Sequence, residues 1–278
     1  MGLTEAEGLF GPQSVSWRID RELFVLAGGS CALLMQAAHP AVAAGVAQHS
    51  TYRTDPFGRL LRTLESSFSV VFGSRSDALA TIDRVNAIHR SVRGAIPETG
   101  TPYSALDPEA LLWVHATLVD TALRVYEGWV APLSAAEREA YHIECARVAV
   151  LLGVPGELMP PTLAELRRWM DDRVADGTVG VTPTAREIAT TILRPSRRLP
   201  RVAWKAAHLV SLATLRPELR RQYGIRWGPR REAGAERLAR LSRRTIHRLP
   251  RLLRDAPQAR AAQRRVRRSA AIMAAPAR

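Results

Sequence analysis

Seven histidines punctuate the chain, at positions 39, 49, 89, 115, 142, 208 and 247. The imidazole is the side chain best suited to proton transfer near neutrality and to ligation of a transition metal. His89 falls in helical phase with Ile82, Val85 and Val92, and His115 with Leu111, Leu112, Leu118 and Val119. On such apolar faces a neutral ring loses hydration unless its nitrogens are used, and coordination to iron uses one of them. His39 and His49 bracket "PAVAAGVAQ", a run with almost no side-chain bulk, on which another helix or a flat ligand could lie close to the backbone. On a straight helix the two rings would stand roughly 15 Å and about 80° apart, too far to share one metal ion. In "DPFGRLLRTLESSF", Arg59 and Thr63 stand at i and i+4 with Arg62 beside them. That pairing could hold a carboxylate by charge-assisted hydrogen bonds, and it suits equally a helix cap with a solvated arginine. Glu139 and His142 form one E-x-x-H, half of a di-iron carboxylate set, and no second copy exists. No G-x-G-x-x-G, P-loop, H-E-x-x-H or G-x-S-x-G occurs, so ordinary nucleotide, zinc-protease and serine-hydrolase chemistries have no support.

Helices must position these groups, because apolar periodicity near 3.6 dominates the chain. Pro40 suits a first helical position, making His39 the residue just outside a helix that runs to about His49. Asp107 and Pro108 open a second strongly periodic segment, "DPEALLWVHATLVDTALRVYEGWV". Ser134 with Glu137 forms a capping box for a third, which ends at Gly153. "SRSDALATIDRVNAIHRSVRG" reads as one helix that reaches Gly94 near its end and keeps Ile96 in phase. No alternating strand pattern competes. The expectation is an all-α fold, a single globular domain of roughly ten helices over residues 10–240, with loops at 97–106, 154–161 and 177–182.

Charge divides the chain unevenly. Of the net +14, the residues before Arg240 carry only +3, because twelve arginines face one acid, Asp255, between Arg240 and Arg278. Lys205 is the sole lysine, a bias that weakens any reading of each arginine as chosen for bidentate chemistry. The Arg-rich C-terminal tail, residues 241–278, is expected to be a solvated helix that frays, with little left to bury after Pro257. Its leucines among arginines also suit a contact with an anionic membrane or nucleic acid. Cys31 and Cys145 lie far apart in apolar surroundings, as reduced core thiols do. With no basic-then-apolar leader and no apolar run of about 18 residues, the expected location is cytoplasmic.

Five segments in order, "LFGPQSVSWRI", "AHPAVAAGVAQHS", "DPFGRLLRT", "RVNAIHRSVRG" and "LLWVHATLVDTAL", resemble the bacterial branch of the rubber oxygenase and mpaB-type oxygenase domain family, from about Leu9 to Leu193. The resemblance implies an all-α domain with a buried pocket for b-type haem, and use of oxygen to cleave isoprenoid double bonds. It places the proximal iron ligand on His89 and the haem-supporting arginine and threonine on Arg59 and Thr63. Arg62 stands where a lysine can close the distal iron site in the resting rubber enzyme, and arginine is a poor ligand because it stays protonated. The glutamate base of rubber cleavage has no counterpart in the small-residue helix. His115 and His49 are therefore the candidate proton-transfer groups.

The function expected on this basis is a haem b-dependent oxygenase or oxidoreductase that takes O2 and a small apolar metabolite, acting by alkene cleavage, hydroxylation or desaturation. A haem sensor or carrier without turnover is a competing class, as is a helical binding module with a basic tail for nucleic acid or membrane. A homo-oligomer is a further expected partner state.

Overall fold

The computed structural model describes residues 3–194 and 200–274. Fourteen α-helices, five short 3-10 or π segments and one two-stranded hairpin make up the regular structure among them. Of the four beyond the ten expected over residues 10–240, α13 (Arg251–Arg254) and α14 (Pro257–Ala274) lie after that stretch, and two short elements, α1 (Val15–Asp20) and α11 (Pro217–Gln222), have too few turns to show a period.

Two helices form the axis of the core. In α2 (Gly29–Ala37) Cys31, Leu34 and Met35 are buried, and α6 (Pro108–Val125) packs along it, Trp113 donating its indole N–H to the Met35 carbonyl at 2.9 Å. Asp107 accepts the Ala110 N–H, and Pro108 sits where its missing donor costs nothing, so α6 begins as expected. Glycine at position 28 lets the two approach: a Cβ there would stand 2.7 Å from Val125 Cγ2 and 2.8 Å from Thr121 Cγ2. Around this pair lie α7 (Ala135–Leu151), α8 (Leu163–Ala175), α9 (Pro183–Ile192) and α10 (Arg201–Thr214). The Ser134/Glu137 capping box starts α7, and Gly153, at φ +102°, lies just beyond its end. Both cysteines are free thiols, and burial raises Cys31 to about 12.

An acid in the apolar stretch of α6 organises one side of this core. The Asp120 side chain is fully buried and accepts from Arg124 Nε at 2.7 Å and Arg167 Nε at 2.8 Å, with Arg216 Nη2 at 3.7 Å. Arg216 also pairs with Asp171, so α6, α8 and the start of α11 are joined through one carboxylate.

The small-residue helix α3 (Pro40–His49) begins at Pro40 as the spacing predicts, with His39 at the cap position but making no side-chain capping bond. It packs on α2 and α9 and against the hairpin of β1 (Arg93–Ala95) and β2 (Pro102–Ser104). Gly45 faces Val92 and Tyr103, so part of the smooth face is covered by the chain's own side chains. The hairpin departs from the expected helix: α5 (Arg75–Ser91) ends at Ser91, and Gly94 pairs with Tyr103 across antiparallel strands. Three-residue strands alternate too few times to be read from sequence.

The C-terminal region is also unlike the expected fraying tail. Helix α12 (Pro229–Thr245) runs through residue 240, and α14 (Pro257–Ala274) lays Ala259 and Ala262 against Trp17 and Phe72. Arg265 donates to the carbonyls of Ala6 at 3.1 Å and Phe72 at 2.7 Å. Arg21 Nε donates to Asp255 at 3.0 Å and Arg254 Nε to Glu22 at 3.2 Å. Alanines bury little area each, but against a Trp and a Phe they permit the close approach that larger side chains would block.

Among the described residues no single helix is long and apolar enough to cross a membrane; Leu23–Ala37 and Pro40–His49 would suffice together but are bent by 106°.

Candidate active site

Helix α4 (Pro56–Phe72) is capped by Asp55, which accepts the Gly58 N–H at 2.9 Å, and opens with Pro56. Only Gly73 and Ser74 separate it from α5, so the two run antiparallel as a hairpin. Arg59 lies fourteen residues before Gly73 and His89 fifteen after Ser74, which sets both at the open end, roughly 20 Å from the link. Although α4 is strongly amphipathic, Phe72 at its far end is its one fully buried residue. At the open end Leu60, Leu61 and Ile88 are exposed. An amphipathic helix whose apolar face is left uncovered marks a place for a ligand or partner.

The polar groups at this end are also unused. His89 is half-buried, its Nδ1 is shielded and without a hydrogen-bond partner, and burial pulls its pKa down, so the ring is neutral at pH 7. Arg59 is pulled below the usual guanidinium range by burial and by Arg62, and no acid or other acceptor engages its side chain among the described residues. Thr63, one turn on, donates its hydroxyl to the Arg59 carbonyl at 2.9 Å and keeps its lone pairs free. Arg62 turns toward the α3–α4 loop, Nη2 donating to Thr51 Oγ1 at 3.0 Å and Nη1 lying 3.4 Å from Asp55 Oδ2. Arg59 and Thr63 on α4 and His89 on α5 thus lie on adjoining helices toward the open end of the hairpin, with no described contact joining His89 to the other two; Arg62, on the same helix as Arg59, has its charge already paired.

His115 projects from α6 with Nε2 buried and unpartnered. Burial, and the neighbouring His142, pull it down to about 4. A base titrating near neutrality was the expectation; a desolvated imidazole resists charging, so at pH 7 this ring is neutral and only a weak proton acceptor. His49 is exposed at the end of α3 and donates from Nε2 to the Arg93 carbonyl at 3.1 Å, bracing the hairpin. No described contact joins it to His89 or His115. The E-x-x-H pair serves the start of α8: Glu139 accepts the Leu163 N–H at 3.2 Å and His142 Nε2 donates to the Pro160 carbonyl at 2.8 Å.

Two further side chains hold buried polar atoms without partners. Asn86, one turn before His89, donates to the Leu151 carbonyl at 2.9 Å while its Oδ1 is buried without a partner. His39 Nδ1 is likewise buried and unpartnered, its pKa lowered by burial against the opposing pull of Asp107. The i−3 spacing from His89 was the available signal for Asn86; for His39, helix capping offered a sufficient alternative role.

Two hollows lie elsewhere. One of about 570 Å³ separates Leu9 and Phe10 from Arg147 and Leu151, and one of about 220 Å³ lies between Trp204 and Trp227. Neither includes His89, Arg59, Thr63 or His115.

The catalytic-domain family described as "ER-bound oxygenase mpaB/B'/Rubber oxygenase" matches residues 17–244, extending some fifty residues beyond the motifs recognisable by eye. Uncharacterized proteins of Mycobacterium bovis and Mycobacterium tuberculosis are each 30% identical to this chain over 134 residues, 46% of this chain and 52% of theirs. The chain therefore spans about half the length of these curated relatives. No solved structure matches it. The family match over 17–244, on an all-helical fold, establishes that the chain belongs to the mpaB/rubber oxygenase catalytic-domain family.

Proposed function

We propose that this chain is a haem b-dependent oxygenase that acts with O2 on a small apolar molecule in the cytoplasm, with His89 as the iron ligand. The observation that carries this reading is that the adjoining helices α4 and α5 each bear an unused polar group toward the uncovered apolar end of their hairpin: a neutral imidazole with an unpartnered buried nitrogen, and a half-buried guanidinium that no acid engages among the described residues. Each oddity has the same remedy. A ring nitrogen with a free lone pair suits a metal, and a desolvated cation suits a carboxylate such as a haem propionate. Among the described residues no three His, Cys, Asp or Glu side chains form a metal cage, so the macrocycle would bring most of the coordination itself.

When bound, haem supplies an iron centre that activates O2, chemistry no side chain provides. The chain's own groups bind and orient. His89, kept neutral by burial, offers a nitrogen at pH 7 without first losing a proton. Arg59 anchors one carboxylate, with Thr63 available as a second hydrogen-bonding group. Arg62, held by Asp55 and Thr51, adds positive potential at the rim. Leu60, Leu61 and Ile88 exclude water from the occupied face and favour an apolar substrate. His115 accepts a proton at Nε2. His49 acts through the hairpin it braces, not through the substrate.

The test is oxygen uptake by hemin-loaded protein across a panel of small isoprenoid and aromatic compounds, with labelled O2. Two labelled atoms in carbonyl products mean alkene cleavage, one means hydroxylation, and none with an added double bond means desaturation. A loaded protein that consumes no oxygen with any of them contradicts the oxygenase reading.

A further inference from the structure

Five leucines, at 238, 241, 249, 252 and 253, are between 48% and 67% exposed within one stretch of sixteen residues. Helix α12 explains why they face out. Its inward face is Ala235 and Ala239, then Ser242, which donates to the Trp129 carbonyl at 2.7 Å, and Arg243, which bonds the Gly128 carbonyl. Buried Ile246 follows in phase. The opposite face carries Leu238 and Leu241 with Arg237, Arg240, Arg244 and Arg248. Leu249, Arg251, Leu252 and Leu253, which follow across a 3-10 turn and Pro250 into α13, are exposed as well.

This surface is not a loose end. Immediately after it, Arg254 pairs with Glu22, Asp255 pairs with Arg21, and the Ala256 N–H donates to the Arg21 carbonyl at 2.7 Å. The leucines are therefore presented by anchored chain. Arg244, Arg248 and Arg251 beside them make no ion pair or side-chain hydrogen bond among the described residues.

We propose that this face docks on an anionic lipid surface, its leucines entering the acyl boundary and its arginines meeting lipid phosphates. Charge and apolarity together select that partner. Nucleic acid would reward the arginines but leave five leucines in water. A second copy would cover the leucines while pressing like-charged arginine rims together. The inference is independent of haem and of the reaction.

The full-length chain is sedimented with vesicles of phosphatidylcholine alone and of phosphatidylcholine with phosphatidylglycerol, at low and at physiological salt. Binding is expected to the anionic vesicles, weakened by salt. The Leu249→Ser/Leu252→Ser/Leu253→Ser variant should lose at least about tenfold in partitioning. Each of Arg244→Gln, Arg248→Gln and Arg251→Gln should lose about fivefold. All these positions are exposed, so unchanged thermal unfolding verifies that the variants fold. Vesicle binding that survives the leucine changes overturns the proposal. So does binding of a short DNA duplex tighter than of anionic vesicles, or self-association without lipid that the leucine changes abolish.

Discussion

Replacing Asp120 with asparagine isolates the energetics of the buried ion network. The carboxylate has no exposure, and of its three partners only Arg216, with 7% of its side chain exposed, is itself buried; Arg124 and Arg167 are 42% and 30% exposed. Losing the charge therefore costs little at Arg124 and Arg167, about 0.2–1 kcal/mol each, because water can solvate them instead. Arg216 is different. Its remaining acid, Asp171, is mostly solvent-exposed, and its Nε is already without a partner. A buried charge stripped of one counterion costs about 3–5 kcal/mol. The sum expected for Asp120→Asn is about 5 kcal/mol, near 10 °C in Tm at about 2 °C per kcal/mol for a chain of this size. Urea unfolding monitored by circular dichroism measures it, with Arg124→Ala as the control expected to lose no more than about 1 kcal/mol. A loss below about 1 kcal/mol for Asp120→Asn, equal to the control, would refute the claim that Arg216 depends on this carboxylate.

His115, depressed in the folded state to about 4 from an unfolded value near 6.5, contributes stability that is complete above pH 6.5 and is lost as pH falls toward 4. His115→Gln should therefore flatten the stability profile in that window by about 3 kcal/mol, measured by urea unfolding at several pH values. Arg59→Met should leave the haem-free protein no less stable, since it removes a desolvated cation with no acid beside it, while weakening hemin retention by about 1.5–3 kcal/mol in a titration. Truncation after Ala256 should uncover Trp17 and Phe72 and remove both Arg265 bonds, lowering stability by several kcal/mol in thermal unfolding; an unchanged melt would mean α14 is only peripheral.

Much of the fold was legible because its helices announce their own ends. Asp107–Pro108, Ser134 with Glu137, and Pro40 each place a helix start where the structure has it, since capping is local chemistry between residues three apart. What escaped depends on partners remote in sequence. The arginines and alanines after residue 250 look solvated until Trp17, Glu22 and Phe72 are brought to them. Asp120 lies in an apolar helix, and its role is set by Arg167 and Arg216, far along the chain. For the candidate site, the i, i+4 spacing gave Arg59 and Thr63 a shared face, and only the α4–α5 hairpin brings the helix of His89 against theirs. The proton affinity of His115 was beyond sequence, because it is fixed by burial and by a second imidazole on α7.

The central claim is that His89 holds haem iron, and a hemin titration followed by absorption spectroscopy tests it most directly. Purified wild-type protein should develop one stoichiometric, intense Soret band and give a b-type pyridine haemochrome, since no C-x-x-C-H is present for covalent attachment. His89→Ala should fail to retain hemin on gel filtration, while His115→Ala should retain it with an altered spectrum. Retention by His89→Ala with loss in His115→Ala, or a folded wild-type protein that stays colourless, would contradict the account.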